Sequence, residues 1–168
     1  MSLPAQIDPR KLALQGIALE GEFSASDLTR LGDSVEAITG GLKASLRFSL
    51  DESRQPLITG EASICVDVVC QRCLDLVNVE IKADIALQVV WSEDQIVNVA
   101  PDYEPWIVVD KIADLNFVIE DEVLLALPIV NYHNIEDCTG SAFVSQADTD
   151  LEETVTDSPF SVLQQLKN

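Results

Sequence analysis

The sequence predicts an α+β fold with an antiparallel β-sheet, one main packed helix and short helices at the ends. The sequence does not determine whether the sheet closes into a barrel. Residues 42–50 alternate apolar with polar side chains, the period of a strand with one buried face. Two more β-rich runs, 57–69 and 74–91, follow after short connections, which favours antiparallel pairing. Residues 114–127 place apolar side chains at helical spacing, which predicts the main helix.

The remaining segments predict smaller elements. Residues 12–19 are apolar and predict an edge strand, whereas 24–27 resemble the start of a helix that ends before Gly40. Residues 92–110 are acidic and contain two prolines, which predicts irregular chain. Ser158 and Pro159 suit the start of a short last helix. We therefore predict one domain over 1–137, an acidic flexible segment over 138–157 and a helix over 158–168.

The net charge of the chain favours some classes of binding partner and disfavours others. The chain has 168 residues and a net charge of −19, with 29 acidic and 10 basic side chains. Such a chain repels nucleic-acid phosphates and anionic membranes, and it attracts basic proteins over long distances. The alternative interpretation is that the charge only maintains solubility. Because no stretch resembles a secretory leader or is long enough to span a bilayer, we expect a cytoplasmic protein with reduced cysteines.

The sharpest motif is Cys70-Gln-Arg-Cys73. Two thiolates at this spacing can share a zinc ion or form a redox pair. The motif separates two β-rich runs and so lies at a predicted hairpin tip, not at the start of a helix, which disfavours a thioredoxin-like enzyme. A closed zinc site needs four ligands; His133 and Cys138 are available, but their spacing matches no familiar ligand pair. The plain alternative is two small residues in a tight turn.

Several motifs together resemble the YceD family, the large ribosomal RNA subunit accumulation proteins, over nearly the whole chain. In order, they are Cys70-Gln-Arg-Cys73, Tyr103-Glu-Pro105, the run from Ile119 to His133 that contains Leu-Pro, and the run from Pro159 to Lys167. The resemblance implies a cytoplasmic protein that supports synthesis, processing or stability of the large-subunit ribosomal RNA, with no established catalytic activity. It also implies a gene that commonly neighbours that of a small basic large-subunit ribosomal protein.

The chain departs from this family at a second cysteine cluster. Many members have the pattern Cys-x-Gly-x-Cys-x-x-Cys-Gly there and resemble a zinc protein. This chain retains Cys138 and Gly140 but has Ala142 and Ser145 at the next two cysteine positions. Neither replacement supplies a thiolate. The resemblance therefore implies a degenerate zinc site, with Cys70, Cys73 and Cys138 as remnants, and we expect no metal and no cofactor.

These observations lead to a hypothesis of a noncatalytic assembly factor that contacts a basic large-subunit ribosomal protein or a pre-ribosomal particle. Glu120 and Glu122 on the predicted helix, and Arg72 at the predicted hairpin tip, are the candidate partner-binding residues. Direct binding of ribosomal RNA through a small basic patch is the first alternative, and its residues are Lys43, Arg47 and Arg54. A nuclease or a thiol enzyme is the second alternative, since sequence alone does not exclude a cleft lined by metal-binding carboxylates.

Overall fold

The structure, a computed structural model, describes residues 1–140. The elements in chain order are β1 (Gln6–Ile7), α1 (Pro9–Gln15), β2 (Ala18–Phe23), α2 (Thr29–Ser34), β3 (Ala37–Ile38), β4 (Leu42–Leu50), β5 (Pro56–Val69), β6 (Leu76–Val90), β7 (Glu104–Ile107), β8 (Ala113–Asp114) and α3 (Leu115–Leu125). Helices and antiparallel-rich sheets are mixed, which confirms the predicted α+β class. The predicted segments beyond Gly140 lie outside the described residues.

The main sheet has the order β2-β4-β5-β6-β7, and β3 pairs with β5 beyond the end of β4. Antiparallel pairing joins β2, β4, β5 and β6, and all three long strands were predicted within two residues of their ends. Within residues 1–140 the sheet is open, not closed into a barrel.

One edge of the sheet differs from the prediction. Residues 104–107 were expected to be irregular, but they form β7, which pairs in parallel with β6. The connection from Trp91 to Tyr103 includes a short 3-10 turn at Glu93–Asn98. It brings the chain back along β6, so that β7 runs beside the last residues of β6 in the same direction. Pro105 is compatible with β7 because β7 is an edge strand.

The predicted edge strand over residues 12–19 is wrong in its first half, since residues 12–15 belong to α1. The Asp8 side chain caps this helix by accepting from the Lys11 N–H at 2.9 Å. Pro9 stands at the first helical position, and Gly16 ends the helix with a φ of 62°. These cap residues outweigh the apolar run, because they satisfy amides and carbonyls that a short helix otherwise leaves open.

The predicted second helix exists but begins later than expected. It runs over Thr29–Ser34 after a 3-10 turn at Ala25–Asp27, and Ser24 is not its cap. Leu28 and Leu31 are buried as the spacing predicted. Val35 lies just past the helix end.

Helix α3 confirms the predicted main helix and packs on the sheet. Asp114 caps it by accepting from the Phe117 N–H at 3.0 Å, and the helix ends before Pro128. Its start is also attached to the chain just before β1, because the Leu115 N–H donates to the Ala5 carbonyl at 2.8 Å. Its apolar side meets the inner face of the sheet in one core that includes Leu42, Leu46, Phe48, Ile64, Val66, Ile81, Ile85, Leu87, Leu115, Ile119 and Val123.

The chain divides into two compact units, Met1–Tyr132 and His133–Asn168. The first contains all the elements named above. The second is described as far as Gly140, and the described part contains a turn in which the Asp137 N–H donates to the Asn134 carbonyl at 3.0 Å. None of the helices within residues 1–140 is long and apolar enough to cross a membrane.

Candidate functional site

The loop of residues 70–75, here called the hairpin tip, joins β5 to β6 and carries the Cys-x-x-Cys motif, as predicted. The Cys70 N–H donates to the Asp75 carbonyl at 2.9 Å, and the Leu74 N–H donates to the Cys70 carbonyl at 2.9 Å. Leu74 has a φ of 66°, a left-handed conformation that costs a leucine about 1 kcal/mol. The loop thus folds back tightly, and both cysteines lie at the same end of the hairpin.

The chain that follows α3 passes beside the hairpin tip. The Gln71 N–H donates to the Asn131 carbonyl at 2.8 Å, and the Gln71 side-chain amide donates to the Ile129 carbonyl at 3.4 Å. Pro128 lies just past the end of α3, and bends at residues 129–130 follow it. The contacts hold the backbone at Asn131, two residues before His133, against the Cys-x-x-Cys loop.

Arg72 also contacts this segment. Its guanidinium carbon lies 4.9 Å from the centre of the Tyr132 ring, a cation–π arrangement. Arg72 is half-buried, and its Nη1 atom has no hydrogen-bond partner within residues 1–140. Arg72 is therefore less exposed than its place at a hairpin tip suggested, and its partner-binding role stays a prediction.

The predicted remnants of a zinc site belong to two different compact units. Cys70, which is buried, and Cys73, which is half-buried, lie in the first unit, and Cys138, which is buried, lies in the second. Their role as remnants of a metal site stays a prediction. The sequence did not predict the contact between the hairpin tip and Asn131, because no local pattern contains it.

Glu120, predicted as a partner-binding residue, is 3% exposed. Its Oε2 accepts from Arg30 Nε at 3.0 Å, and its Oε1 accepts from the Leu31 N–H at 3.0 Å. Arg30 also donates to Asp121 and to the Phe117 carbonyl, and its guanidinium carbon lies 3.8 Å from the centre of the Phe117 ring.

We call this group of five residues the α2–α3 junction. Both Glu120 oxygens are occupied within the chain, so the glutamate holds α2 on α3. It has no exposed carboxylate to offer a partner.

Glu122, the other predicted partner-binding glutamate, is half-buried on the same helix. Burial raises the pKa of Glu122 above its ordinary value, and repulsion from Glu104 and Asp121 raises it further. Both effects disfavour its charged form. A cation supplied by another molecule would relieve them, so the geometry is compatible with the predicted role, which stays a prediction.

Comparison with known proteins identifies the family. A family model described as "Large ribosomal RNA subunit accumulation protein YceD" matches residues 58–167. A Haemophilus influenzae protein of the same description is 31% identical over 170 residues, which cover 99% of this chain and 97% of that protein. The chain belongs to the YceD family. No solved structure matches it. The part matched by the YceD model begins in β5 and includes the hairpin tip, α3, His133 and Cys138.

In this YceD family member, the outer face of the sheet is predominantly acidic. It forms a groove of about 770 Å³ whose charged lining includes Glu20, Glu22, Glu61 and Asp84 but only two lysines, Lys43 and Lys82. Lys43 lies opposite Glu22 in the β2–β4 ladder.

The other basic candidates lie outside this groove. Arg47 lies further along β4, opposite Thr59, and Arg54 lies in the β4–β5 turn. The predicted basic patch is therefore interrupted by carboxylates, and RNA contact through it stays a prediction.

Proposed function

We propose that this chain is a noncatalytic factor of the cytoplasm that supports accumulation of the large-subunit (23S) ribosomal RNA. The observation that carries the proposal is family membership, because a relative named for large ribosomal RNA subunit accumulation matches 99% of the chain. The alignment extends through every element of the described fold, so the proposal concerns the whole chain and not a shared fragment.

We propose further that the factor acts by contact with a basic large-subunit ribosomal protein or with a basic face of a pre-ribosomal particle. A net charge of −19 supports this mechanism, since it attracts a basic protein and repels RNA. An acidic protein that covers a basic ribosomal protein would prevent its premature binding to RNA. The ribosomal RNA would then gain stability indirectly, through correct assembly.

The proposed docking surface lies at Glu104, Asp121 and Glu122. Glu104 is exposed, and Asp121 and Glu122 are half-buried. Mutual repulsion and burial raise the pKa of Glu122, and a lysine or arginine of the partner would offset both. Arg72 is a second proposed contact; its side chain is half-buried at the hairpin tip, and its Nη1 atom is itself buried.

The test of this surface is complementation of cells that lack the chain. We expect such cells to have a reduced ratio of 23S to 16S ribosomal RNA, which the wild-type chain restores. Glu122→Lys should restore it poorly because the variant repels a basic partner. The matched control is Glu52→Lys, the same charge change at an exposed glutamate in the β4–β5 turn. Equal restoration by both variants would exclude the proposed docking surface.

Purification of the tagged chain with and without nuclease separates the alternatives. A basic large-subunit protein that remains bound after nuclease treatment supports the protein-contact mechanism. Ribosomal RNA bound in a salt-dependent way, lost when Lys43, Arg47 and Arg54 are replaced by glutamate, would instead support direct RNA binding. Cleavage of ribosomal RNA by the purified chain, abolished by EDTA, would support a nuclease.

A further inference from the structure

We propose that a pocket between α1 and the ends of β6 and β7 binds a nucleotide, with the base against Trp91 and the phosphate among basic side chains. The pocket has a volume of about 430 Å³, which lies within the range of small-molecule sites, about 300–1,000 Å³. Its lining combines three apolar with three basic side chains, those of Leu14, Trp91, Val109, Arg10, Lys11 and Lys111. We call it the Trp91 pocket.

The apolar part of the Trp91 pocket forms where two parallel strands end beside a helix. Trp91 directly follows β6, and the Val108 N–H donates to the Val90 carbonyl at 2.8 Å, which keeps β7 paired with β6 up to that point. Val109 comes next in the chain and is 83% exposed, and Leu14 on α1 is 55% exposed. Exposed apolar side chains that line a concave site are available to a ligand.

The basic part comes largely from α1. Arg10 and Lys11 precede Leu14 by four and three positions, so they lie on the same side of the helix as this leucine. A second cavity of about 320 Å³ is also lined by Arg10, Leu14 and Trp91, and it adds Arg54 from the β4–β5 turn. The two cavities therefore adjoin each other and share one basic surface.

The charge around these two cavities is opposite to the charge of the whole chain. Together they are lined by four of the chain's ten basic side chains, but by only two of its 29 acidic side chains, Asp8 and Asp110. Asp8 already caps α1 and lies 3.9 Å from the Nζ atom of Lys111. The other three basic side chains form no ion pair within residues 1–140. They are therefore available to an anion from solution.

The combination of side chains favours a nucleotide over other anions. A guanidinium binds phosphate oxygens in a bidentate geometry, and an indole ring stacks on a flat base. Inorganic phosphate would leave the apolar side chains in water, and an uncharged ring would leave the basic side chains without a counterion. The net charge of −19 opposes binding mainly at long range, because physiological salt screens exposed charges that lie more than about 8 Å apart.

The test is isothermal titration calorimetry of the full chain with three probes: adenosine 5′-monophosphate (AMP), adenosine and inorganic phosphate. We expect saturable binding of AMP, and affinities lower by about tenfold or more for adenosine and for phosphate, since each lacks one half of the contacts. A single-stranded RNA octanucleotide distinguishes two sources of the same chemistry. Tighter binding than AMP would identify RNA as the source, and weaker binding would identify a free nucleotide.

Charge reversal locates the site. Arg10→Glu should weaken AMP binding by about tenfold or more, because it removes a charge-assisted hydrogen bond and repels the phosphate. Arg10 is exposed, so the variant is expected to fold. The matched control is Arg47→Glu, the same change at an exposed arginine on β4 that lines neither cavity, and it should retain the wild-type affinity.

A fluorescence measurement checks the position of the base. The chain has two tryptophans, so Trp91 is the only one left in Trp106→Phe, and AMP should quench its emission with the affinity that calorimetry gives. Four results would each overturn the proposal: no saturable binding of AMP or the octanucleotide, equal affinity for AMP and phosphate, equal losses in Arg10→Glu and Arg47→Glu, or unchanged Trp91 emission at saturating AMP. These measurements do not depend on the proposed role in ribosomal RNA accumulation.

Discussion

The α2–α3 junction and the hairpin tip both join distant parts of the chain, but through different kinds of hydrogen bond. At the junction, the buried carboxylate of Glu120 accepts from Arg30 and from the Leu31 N–H, both on α2. At the tip, the hydrogen bonds are neutral, since the Gln71 N–H donates to the Asn131 carbonyl and its side-chain amide donates to the Ile129 carbonyl. The junction therefore depends on one buried charge, and removing that charge should cost more than removing a neutral group at the tip.

The largest expected effect is at the junction. Glu120→Ala should lower the free energy of unfolding by about 2–3 kcal/mol, because it leaves the Leu31 N–H buried without an acceptor and removes a charged partner from Arg30. Urea-induced unfolding at neutral pH measures the loss. Glu120→Gln, which keeps a carbonyl acceptor, should lose less. A loss no larger than that of Asp121→Ala, on the half-exposed side of the same cluster, would contradict the structural role of Glu120.

A smaller effect, of opposite sign, is expected at the hairpin tip. Leu74→Asn should raise the free energy of unfolding by about 0.5–1 kcal/mol, because asparagine adopts a left-handed conformation more readily than leucine. The control is Leu76→Asn, a leucine that is similarly exposed but lies in extended chain at the start of β6. There asparagine should destabilise the protein, because it is disfavoured in strands. Thermal unfolding of both variants and the wild type measures the two changes, and changes of the same sign would refute the explanation.

The smallest effect concerns Glu122 and depends on pH. Because the folded-state pKa of Glu122 is raised by burial and by Glu104 and Asp121, its charged form destabilises the fold at neutral pH. This destabilisation fades as the pH falls through the raised pKa and is gone below the ordinary pKa of glutamate. Glu122→Gln should therefore be more stable than the wild type at pH 7 and equally stable at low pH. Glu52→Gln, at an exposed position, serves as the control, and a pH-independent gain for Glu122→Gln would exclude the electrostatic cause.

The long strands were predictable because each carries its own signal. The alternation over Leu42–Leu50 follows directly from one buried and one exposed face, and the structure confirms its limits. The apolar run of residues 12–19 led to a wrong prediction for residues 12–15, because apolar content alone does not distinguish a short helix from a strand. Its end signals, Asp8, Pro9 and Gly16, were the better evidence. β7 carried no usable signal, since four residues with a proline form a strand only when a neighbouring edge is available.

Whether the surroundings of a candidate functional residue could be predicted depends on how far away in the sequence its contacts lie. Cys70 and Cys73 are three positions apart, and a local turn determines how they lie. Glu120 looked like an exposed helix residue because its partners, Arg30 and Leu31, are about ninety positions away. Glu122 lies two positions further along the same helix and looked equivalent in the sequence. In the structure, Glu104 and Asp121 repel its carboxylate.

The sequence by itself determined the α+β class, the antiparallel core of the sheet, the main helix and its stop, the acidic surface and the resemblance to the YceD family. These properties follow from local periodicity, cap residues, composition and ordered motifs, which are all readable along the chain. Only the tertiary structure decided that Glu120 is internal and that the hairpin tip contacts the chain at Asn131. Both outcomes depend on which distant backbone segments pack together, and the packing of the whole core determines which segments meet.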